Sequence, residues 1–393
     1  MDGMDMQSKP PSFSYISNPR ASYRGNWQGF EHLVGWKLAD DALRIIASWD
    51  GYEPTPLLRF SGLAAKFDVA DVYCKYESDR FGIGSFKALG GAYALGRILE
   101  FRKADGGQPS VAVTASDGNH GLSVAWGARR FGIRCVVYLH SRVSDGRANL
   151  IRGMDAEIVR VEGNYDDSTR AAALAAQSNG WILVPDTASS FDPVPVQVMA
   201  GYGVMLDEII HKMTPSTTPT HIFLQGGCGG LAASIAGLVR ERWPTEEQPR
   251  IIIVEPEEAA CLFASAHVGA PARVRGALDT VMAGLSVGEV SAVAWPVLDR
   301  AADAFMTIPD TAAIDLMRAL ACGRYGDPPL AVGDSGVAGL AGFLALAADP
   351  AARRDNGIDE GSRILTIATE GPVDRATYDS IVEGYEVPKE QPA

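Results

Sequence analysis

The sequence predicts an α/β fold of two domains, each with a mainly parallel twisted sheet flanked by helices. Short apolar runs alternate with longer segments of helical periodicity from about residue 110 onward. Most of these runs are apolar along their length, which is typical of strands buried on both faces of a parallel sheet. A chain of 393 residues is long enough for two such units.

The order of the runs predicts the domain organisation. A segment rich in Pro and Thr, residues 211–220, separates one αβ series from the next, so we expect a small αβ domain over 110–210. The large domain is then discontinuous, 1–109 plus 211–393, with an irregular arm over 1–28. The predicted strand regions are 110–115, 134–140, 156–162, 181–185, 221–225, 250–256 and 362–371.

Composition excludes several classes of protein. The formal net charge of −13, without a basic block, argues against a nucleic-acid or acidic-membrane partner. No apolar run approaches the roughly 18 residues of a membrane helix, and the N-terminus lacks the apolar core of a signal peptide. The five cysteines are scattered, which indicates reduced thiols in a cytoplasmic protein and no zinc site. No metal site is predicted.

The loop QGGCGG has four glycines within the five positions 226–230, directly after a predicted strand. Glycines let backbone N–H groups approach an anion, and the start of the following helix adds a favourable dipole. The loop also fits the dinucleotide-binding pattern G-x-G-x-x-A, with Glu255 at the end of the next strand. A tight turn explains one or two of these glycines, whereas four favour a phosphate site.

A second loop, TASDGNHG (114–121), places an acid, an amide and an imidazole between a strand and a helix. Taken singly, Asp or Asn at this place is most often an N-cap, and His120 alone is more often a hydrogen-bonded structural histidine. Ligands of parallel sheets bind at the carboxyl ends of the strands, where this loop lies. The density of polar groups therefore favours a binding site.

Lys87 lies at the start of an apolar helical segment, ALGGAYALGRILEF, behind the run FGIGSF. A lysine at such a place usually extends to water. A desolvated lysine instead has a lowered pKa and can form a Schiff base with a carbonyl. Together with a phosphate loop, this predicts pyridoxal 5′-phosphate, whose ring oxygen and nitrogen need polar partners such as Asn119 and Thr369. Thr369 by itself is no more than the exit of a strand.

These motifs together resemble a known family. The stretch KYESDRFGIGSFKALGGAYAL, with TASDGNHG, QGGCGG and TEG, resembles the fold-type II, tryptophan-synthase β-like, pyridoxal-phosphate enzymes. The Asp before Gly-Asn-His and the run VMAGLSVGE (281–289) make it similar to the diaminopropionate ammonia-lyases. The similarity runs from about residue 50 to residue 385. It implies a homodimer.

The resemblance implies roles for individual residues. Lys87 would carry the cofactor and act as a base at Cα, Asp117 would be the acid that exchanges a proton on the opposite face, and Asp186 would lie near the leaving group. Ser116, Asp117 and His120 would contact the substrate. The cofactor would be bound by Lys87, Phe86, Asn119, Gly226, Gly227, Cys228, Gly229, Gly230 and Thr369.

The implied activity is a pyridoxal-phosphate-dependent β-elimination on 2,3-diaminopropionate or a related amino acid, which gives pyruvate and ammonia. The segment SSFDPVPVQVMAGYG (189–203) departs from the aromatic-acid-Gly-aromatic run of the family, so a hydroxyl or a larger amine is an alternative leaving group. A serine or threonine dehydratase is thus the first alternative. An NAD-dependent oxidoreductase that uses the glycine loop is a remote one, because it leaves Lys87 and Asn119 without a role.

Overall fold

The computed structural model describes residues 13–23, 27–104, 106, 111–116, 118–141, 143, 145–185 and 193–384. The strands are β1 (Ser14–Ser17), β2 (Leu57–Arg59), β3 (Asp71–Tyr76), β4 (Ala112–Ala115), β5 (Cys135–His140), β6 (Glu157–Val161), β7 (Ile182–Leu183), β8 (His221–Gln225), β9 (Arg250–Pro256), β10 (Ala304–Ile308) and β11 (Arg363–Ala368). The helices are α1 (Trp36–Ile46), α2 (Ser61–Phe67), α3 (Ala88–Ala104), α4 (Asn119–Arg130), α5 (Asp145–Arg152), α6 (Tyr165–Asn179), α7 (Pro193–Lys212), α8 (Gly230–Arg242), α9 (Cys261–Val268), α10 (Trp295–Ala301), α11 (Asp310–Ala321), α12 (Ala338–Ala348), α13 (Pro350–Asp355) and α14 (Arg375–Val382).

The larger of two sheets has seven strands in the order β1-β10-β9-β8-β11-β3-β2. The five central strands are parallel, and the two edge strands β1 and β2 pair antiparallel to their neighbours. Strands β8 and β10 are buried along their whole length, because helices cover both faces. The carboxyl ends of β3, β8 and β11 therefore lie at one edge, where a ligand site is expected.

The smaller sheet has four parallel strands in the order β6-β5-β4-β7. It lies within residues 112–183, inside the predicted small domain. Helix α7 (Pro193–Lys212) begins within the predicted boundaries and ends two residues beyond them, yet it packs against α1, α3 and α8. The boundaries 110–210 stay a prediction. Both sheets confirm the α/β class.

Helix α3 is fixed by close contacts with α4 and α7. A Cβ on Gly90 would come within 2.5 Å of Tyr202 Cε1 on α7, and one on Gly91 within 2.2 Å of Ser123 Oγ on α4. Glycine is therefore needed at both positions, since neither neighbour has room to withdraw from a buried interface. The packing holds the first turn of α3, and thus Lys87 just before it, at a fixed place beside α4 and α7.

Within the described residues, no helix combines the length and apolarity needed to span a membrane. The same part of the chain contains no group of three or more His, Cys, Asp or Glu side chains arranged to hold a metal ion.

Candidate active site

Lys87 lies immediately before α3, and its carbonyl oxygen accepts the N–H groups of Gly90 and Gly91 at 3.1 and 3.0 Å. The residue is half-buried, and its Nζ lies 5.7 Å from the centroid of the Phe86 ring. The sequence folds this way because the residues before Lys87 form a tight turn, in which Gly84 has a φ of +82°. The amine is therefore held at the helix start, beside a partly apolar surface.

A short antiparallel contact joins the Lys87 segment to the exit of β11. The N–H of Phe86 donates to the Thr369 carbonyl at 3.0 Å, and that of Gly371 donates to the Gly84 carbonyl at 2.9 Å. On the other side, the Phe86 ring lies 4.6 Å from that of Tyr202, between ring centroids. Residues that are almost 300 positions apart in sequence, Lys87 and Thr369, are thus held in adjacent segments.

The hydroxyl of Thr369 has a partner, Gln225, that no sequence motif indicates. Gln225, the last residue of β8, donates from Nε2 to the carbonyls of Ile367 (2.7 Å) and Gly336 (3.1 Å) and to Thr369 Oγ1 (3.3 Å). The two carbonyls fix the orientation of the amide, because only its NH₂ end can face them. Thr369 Oγ1 consequently accepts a bond and keeps its own proton to donate.

The glycine loop forms the predicted cradle at the end of β8. Gly227 and Gly229 have φ values of +58° and +97°, a region that side chains disfavour. The N–H groups of Gly226 and Gly229 are used within the protein, donating to the carbonyls of Val254 and Gly226. The N–H groups of Gly227 and Gly230 have no acceptor among the described residues, and Gly230 begins α8. An anion bound by these groups also meets the positive end of the helix dipole.

Glu255 has a structural role that argues against a dinucleotide site. Its buried carboxylate accepts the N–H groups of Leu262 and Phe263 at 2.9 and 2.7 Å, at the start of α9. A Cβ on Gly226 would lie 2.5 Å from Glu255 Cγ, so the side chain packs directly under the loop. Burial raises the pKa of Glu255 to about 8. A carboxyl enclosed in this way cannot bind the ribose of a dinucleotide.

Asn119 is the first residue of α4, and its Nδ2 donates to Glu370 Oε2. The other carboxylate oxygen of Glu370, Oε1, accepts the Ser335 N–H at 3.2 Å. Burial, followed by the nearby charge of Asp334, raises the pKa of Glu370 to about 7. In the sequence Glu370 is part of the exit of a strand, and no local motif indicates its contact with Asn119, which is 251 positions away.

Two further predicted residues of the second loop, Ser116 and His120, form hydrogen bonds within the protein. Ser116 is buried, and its Oγ accepts the Gly118 N–H at 3.4 Å. His120 is buried, and its Nε2 bonds to the Val184 carbonyl at 3.0 Å, which ties the start of α4 to the end of β7. The predicted contact of both with a substrate stays a prediction. Asp117 and Asp186 lie outside the described residues.

A cleft opens beside Asn119. One wall comes from α4 and α5, and the other from the loops that precede α12 and α14. Arg147 on α5 faces Asp374 across it, with Nε 3.8 Å from Oδ2. The polar lining includes Asn119, Arg147, Asp334, Glu370 and Asp374.

Taken together, these groups fit pyridoxal 5′-phosphate. The positive-φ glycines leave room for a phosphate, Lys87 can bind an aldehyde, and the Thr369 hydroxyl can donate a hydrogen bond to a ring nitrogen.

Comparisons with known proteins agree with this chemistry. A family model described as pyridoxal-phosphate dependent enzyme matches residues 48–370. The diaminopropionate ammonia-lyase of Escherichia coli (strain K12) is 34% identical over 350 residues, which cover 84% of this chain and 88% of the relative. That of Salmonella typhimurium (strain LT2) is 35% identical over 396 residues, which cover 94% and 97%. The biosynthetic L-threonine dehydratase of the latter organism is 31% identical over 224 residues, which cover 57% of this chain and 40% of the relative.

Among solved structures, the Escherichia coli diaminopropionate ammonia-lyase in complex with an aminoacrylate-PLP azomethine reaction intermediate matches with a TM-score of 0.85. The two chains are 31% identical, and the match covers 95% of this chain and 97% of the other. The same lyase in complex with D-serine matches with a TM-score of 0.86 at 30% identity.

Proposed function

The chain belongs to the family of pyridoxal-phosphate dependent enzymes, and we propose on that premise that it is an ammonia-lyase acting on 2,3-diaminopropionate or a close analogue. The products are pyruvate and ammonia. The observation that supports the proposal is the proximity of Lys87, the glycine loop and Thr369 at adjacent strand ends. The chain also aligns with diaminopropionate ammonia-lyases over most of its length. The predicted family, fold type and cofactor are confirmed by the same comparisons.

When bound, pyridoxal 5′-phosphate withdraws electrons from the amino acid and makes its Cα proton acidic. Lys87 would hold the cofactor aldehyde through its ε-amine, be released when the amine of the amino acid takes its place, and then accept the proton at Cα. The N–H groups of Gly227 and Gly230 would bind the phosphate, and Asn119 would donate to the ring oxygen. Phe86 would pack beside the ring.

Thr369 sets the strength of the electron sink. Because Gln225 already donates to Thr369 Oγ1, the hydroxyl proton can point to the ring nitrogen and leave that nitrogen neutral. A carboxylate at this place would keep the nitrogen protonated and withdraw more electron density. A weaker sink favours loss of a β-substituent over reactions that need a long-lived carbanion.

The roles proposed for Asp117 and Asp186 rest on the resemblance alone. Asp117 would exchange the Cα proton on the face opposite to Lys87, so that both α-configurations are accepted. Asp186 would give a proton to the departing β-amine, since an amine leaves only after protonation.

Replacing Asp117 by Asn should reduce turnover of one enantiomer of 2,3-diaminopropionate by about 10²-fold or more, because one face loses its base. The other enantiomer, which relies on Lys87, should lose far less. Pyruvate release from each enantiomer is the measurement. Asp155→Asn, an exposed acid paired with Arg129 at 3.3 Å, is the matched control and should leave both rates unchanged. Equal losses for the two enantiomers in the Asp117 variant would contradict its role.

Gly229→Ala should raise the dissociation constant for pyridoxal 5′-phosphate by about tenfold or more, which corresponds to about 1.4 kcal/mol. An alanine is strained at a φ of +97°, and its Cβ would lie 2.9 Å from Leu298 Cδ1, so the loop must move. The affinity is measured by titrating apoprotein with the cofactor. Gly357→Ala is the control, because Gly357 has a φ of +67° in open space and should leave affinity unchanged. Unchanged affinity of the Gly229 variant would show that the glycine loop does not bind the phosphate of the cofactor.

A serine or threonine dehydratase is the second candidate, supported by the 31% identity to threonine dehydratase over 57% of the chain. Both candidates use the same groups and differ in the leaving group. Keto-acid release from 2,3-diaminopropionate, serine and threonine separates them: the highest kcat/KM for serine or threonine would favour the dehydratase.

Assembly and location are also proposals. The resemblance supports a homodimer, which light scattering of the purified protein tests. Scattered cysteines that form no disulfide in the described residues support a cytoplasmic location, which fractionation of the source cells tests.

A further inference from the structure

The motif VMAGLSVGE, which the proposed function leaves without a role, forms part of a polar network around Glu370. The N–H of Gly284 donates to Ser335 Oγ at 2.8 Å, and that of Ala283 donates to Asp334 Oδ1 at 3.2 Å. Ser335 in turn donates from its backbone to Glu370 Oε1. The network therefore fixes Glu370 Oε1, the oxygen that does not contact Asn119.

Glu370 is held tightly on this side. Only 8% of its surface is exposed. A Cβ on Gly333 would come within 2.9 Å of Glu370 Cγ, and one on Gly336 within 2.7 Å of the Glu370 carbonyl oxygen. The carboxyl therefore cannot turn away from Asn119 without displacing the loop before α12.

The proton on Glu370 determines the orientation of the Asn119 amide. An ionised Glu370 only accepts, so it takes an N–H from Asn119 Nδ2, as in this structure. A protonated Glu370 carries its proton on Oε2, because Oε1 accepts the Ser335 N–H. It would then donate to Asn119 Oδ1, and the amide would turn over. Both N–H groups of Asn119 would face the cofactor pocket.

We propose that Glu370 is a positioning residue that takes up a proton when the cofactor binds and thereby turns the Asn119 NH₂ group toward the cofactor ring oxygen. The inference rests on the proposed function. The ring oxygen and the phosphate are anionic, so an ionised carboxyl beside Asn119 opposes their binding, whereas a neutral Glu370 supports it. The proton comes from water.

The charged groups around Glu370 are consistent with this step. The charge of Asp334 raises the pKa of Glu370, that of Arg147 on α5 lowers it, and Asp374 pairs with Arg147 at 3.8 Å. Asp117, two positions before Asn119, lies outside the described residues. Burial and Asp334 raise the pKa of Glu370 to about 7, so at pH 8 the carboxyl is ionised before the cofactor binds and has a proton to gain.

The test compares the wild type with Glu370→Gln. The Ser335 N–H keeps the Gln oxygen on its own side, so Nε2 faces Asn119 and donates to its Oδ1, as protonated Glu370 would. Calorimetry of pyridoxal 5′-phosphate binding at pH 8, in buffers of different ionisation enthalpy, should show that the wild type takes up about one proton more than the variant. Contributions from Lys87 and the phosphate cancel in this difference.

Affinity gives a second readout. Between pH 7.5 and 8.5, the ratio of the wild-type dissociation constant to that of Glu370→Gln should rise by about tenfold. Asp334→Asn keeps the Glu370 contact with Asn119 and should keep the proton uptake. Glu370→Leu removes the contact and should weaken cofactor binding by about tenfold or more at every pH.

Three results would overturn the inference: equal proton uptake by wild type and Glu370→Gln, a constant affinity ratio, or loss of the uptake in Asp334→Asn. Failure of the proposed function is separate, since the wild type would then bind no pyridoxal 5′-phosphate and show no adduct on Lys87 after borohydride reduction.

Discussion

Replacing Lys87 by alanine should reduce turnover of 2,3-diaminopropionate by at least about 10³-fold. Proton transfer by a positioned base contributes about 10²–10⁴-fold to a rate, and this variant also loses the covalent hold on the cofactor. The amine has no substitute at this place in the described site, because the neighbouring side chains of Phe86 and Thr369 are not bases. Pyruvate release is the measurement, with the cofactor absorption band and its shift on borohydride reduction as a second one.

The matched control is Lys103→Ala, an exposed lysine in the last turn of the helix that Lys87 precedes. It should keep the rate and the absorption band. The Lys87 variant should also keep its midpoint of urea denaturation without cofactor, since a half-buried side chain at a helix start contributes little to stability. A Lys87 variant that turns over substrate at a tenth of the wild-type rate would show that Lys87 is not the catalytic base.

Much of the sheet architecture was predictable because its signal is local. Strands β8 and β9 have the predicted bounds, since continuous apolar runs between glycine or polar residues have few alternatives. The strands β3 and β10 were not among the predicted runs. Strand β3, DVYCKY, carries an aspartate and a lysine among its apolar residues, and Lys75 is buried with a charged partner elsewhere in the chain, Glu208.

The site was predictable as a set of residues but not as an arrangement. Lys87, Asn119, the glycine loop and Thr369 are recognisable from their local motifs. Gln225 and Glu370 act through partners more than 100 positions away, and no local pattern distinguishes them from a strand end or a turn. Glu255 shows the opposite case, because its spacing fits a dinucleotide motif while its carboxylate is used to cap α9.

A buried ion cluster next to the Lys87 segment is another feature that the sequence did not reveal. Glu208 on α7 contacts Lys75 on β3 and accepts two bonds from Arg80, both at 2.8 Å. Arg80 also pairs with Glu77 at 2.8 Å, and all four side chains are almost completely buried. The cluster has two positive and two negative members, so its charges balance. It connects α7 and β3 to the turn that leads to Lys87.

Glu208→Gln should lower the free energy of unfolding by about 3–5 kcal/mol, because removing one member leaves an uncompensated buried positive charge. Neither Lys75 nor Arg80 can turn to water from this position. Burial alone would raise the pKa of Glu208, but the bonds and charges of Arg80 and Lys75 lower it below its ordinary value. The stabilisation is therefore present above the ordinary pKa of a glutamate and lost as the pH falls through the lowered one, so the gap between wild type and variant should shrink in acid.

Urea denaturation at pH 7 and at pH 4 measures both effects. The control is Asp207→Asn, the adjacent position on α7, where the carboxylate pairs with an exposed His211 at 3.1 Å. A pair of this kind contributes at most about 1 kcal/mol. The neighbouring substitutions thus separate the loss of a buried charge from the loss of any acid on the same helix. A Glu208 variant as stable at pH 7 as the Asp207 variant would show that Glu77 alone compensates both cations, and that the cluster does not fix the turn before Lys87.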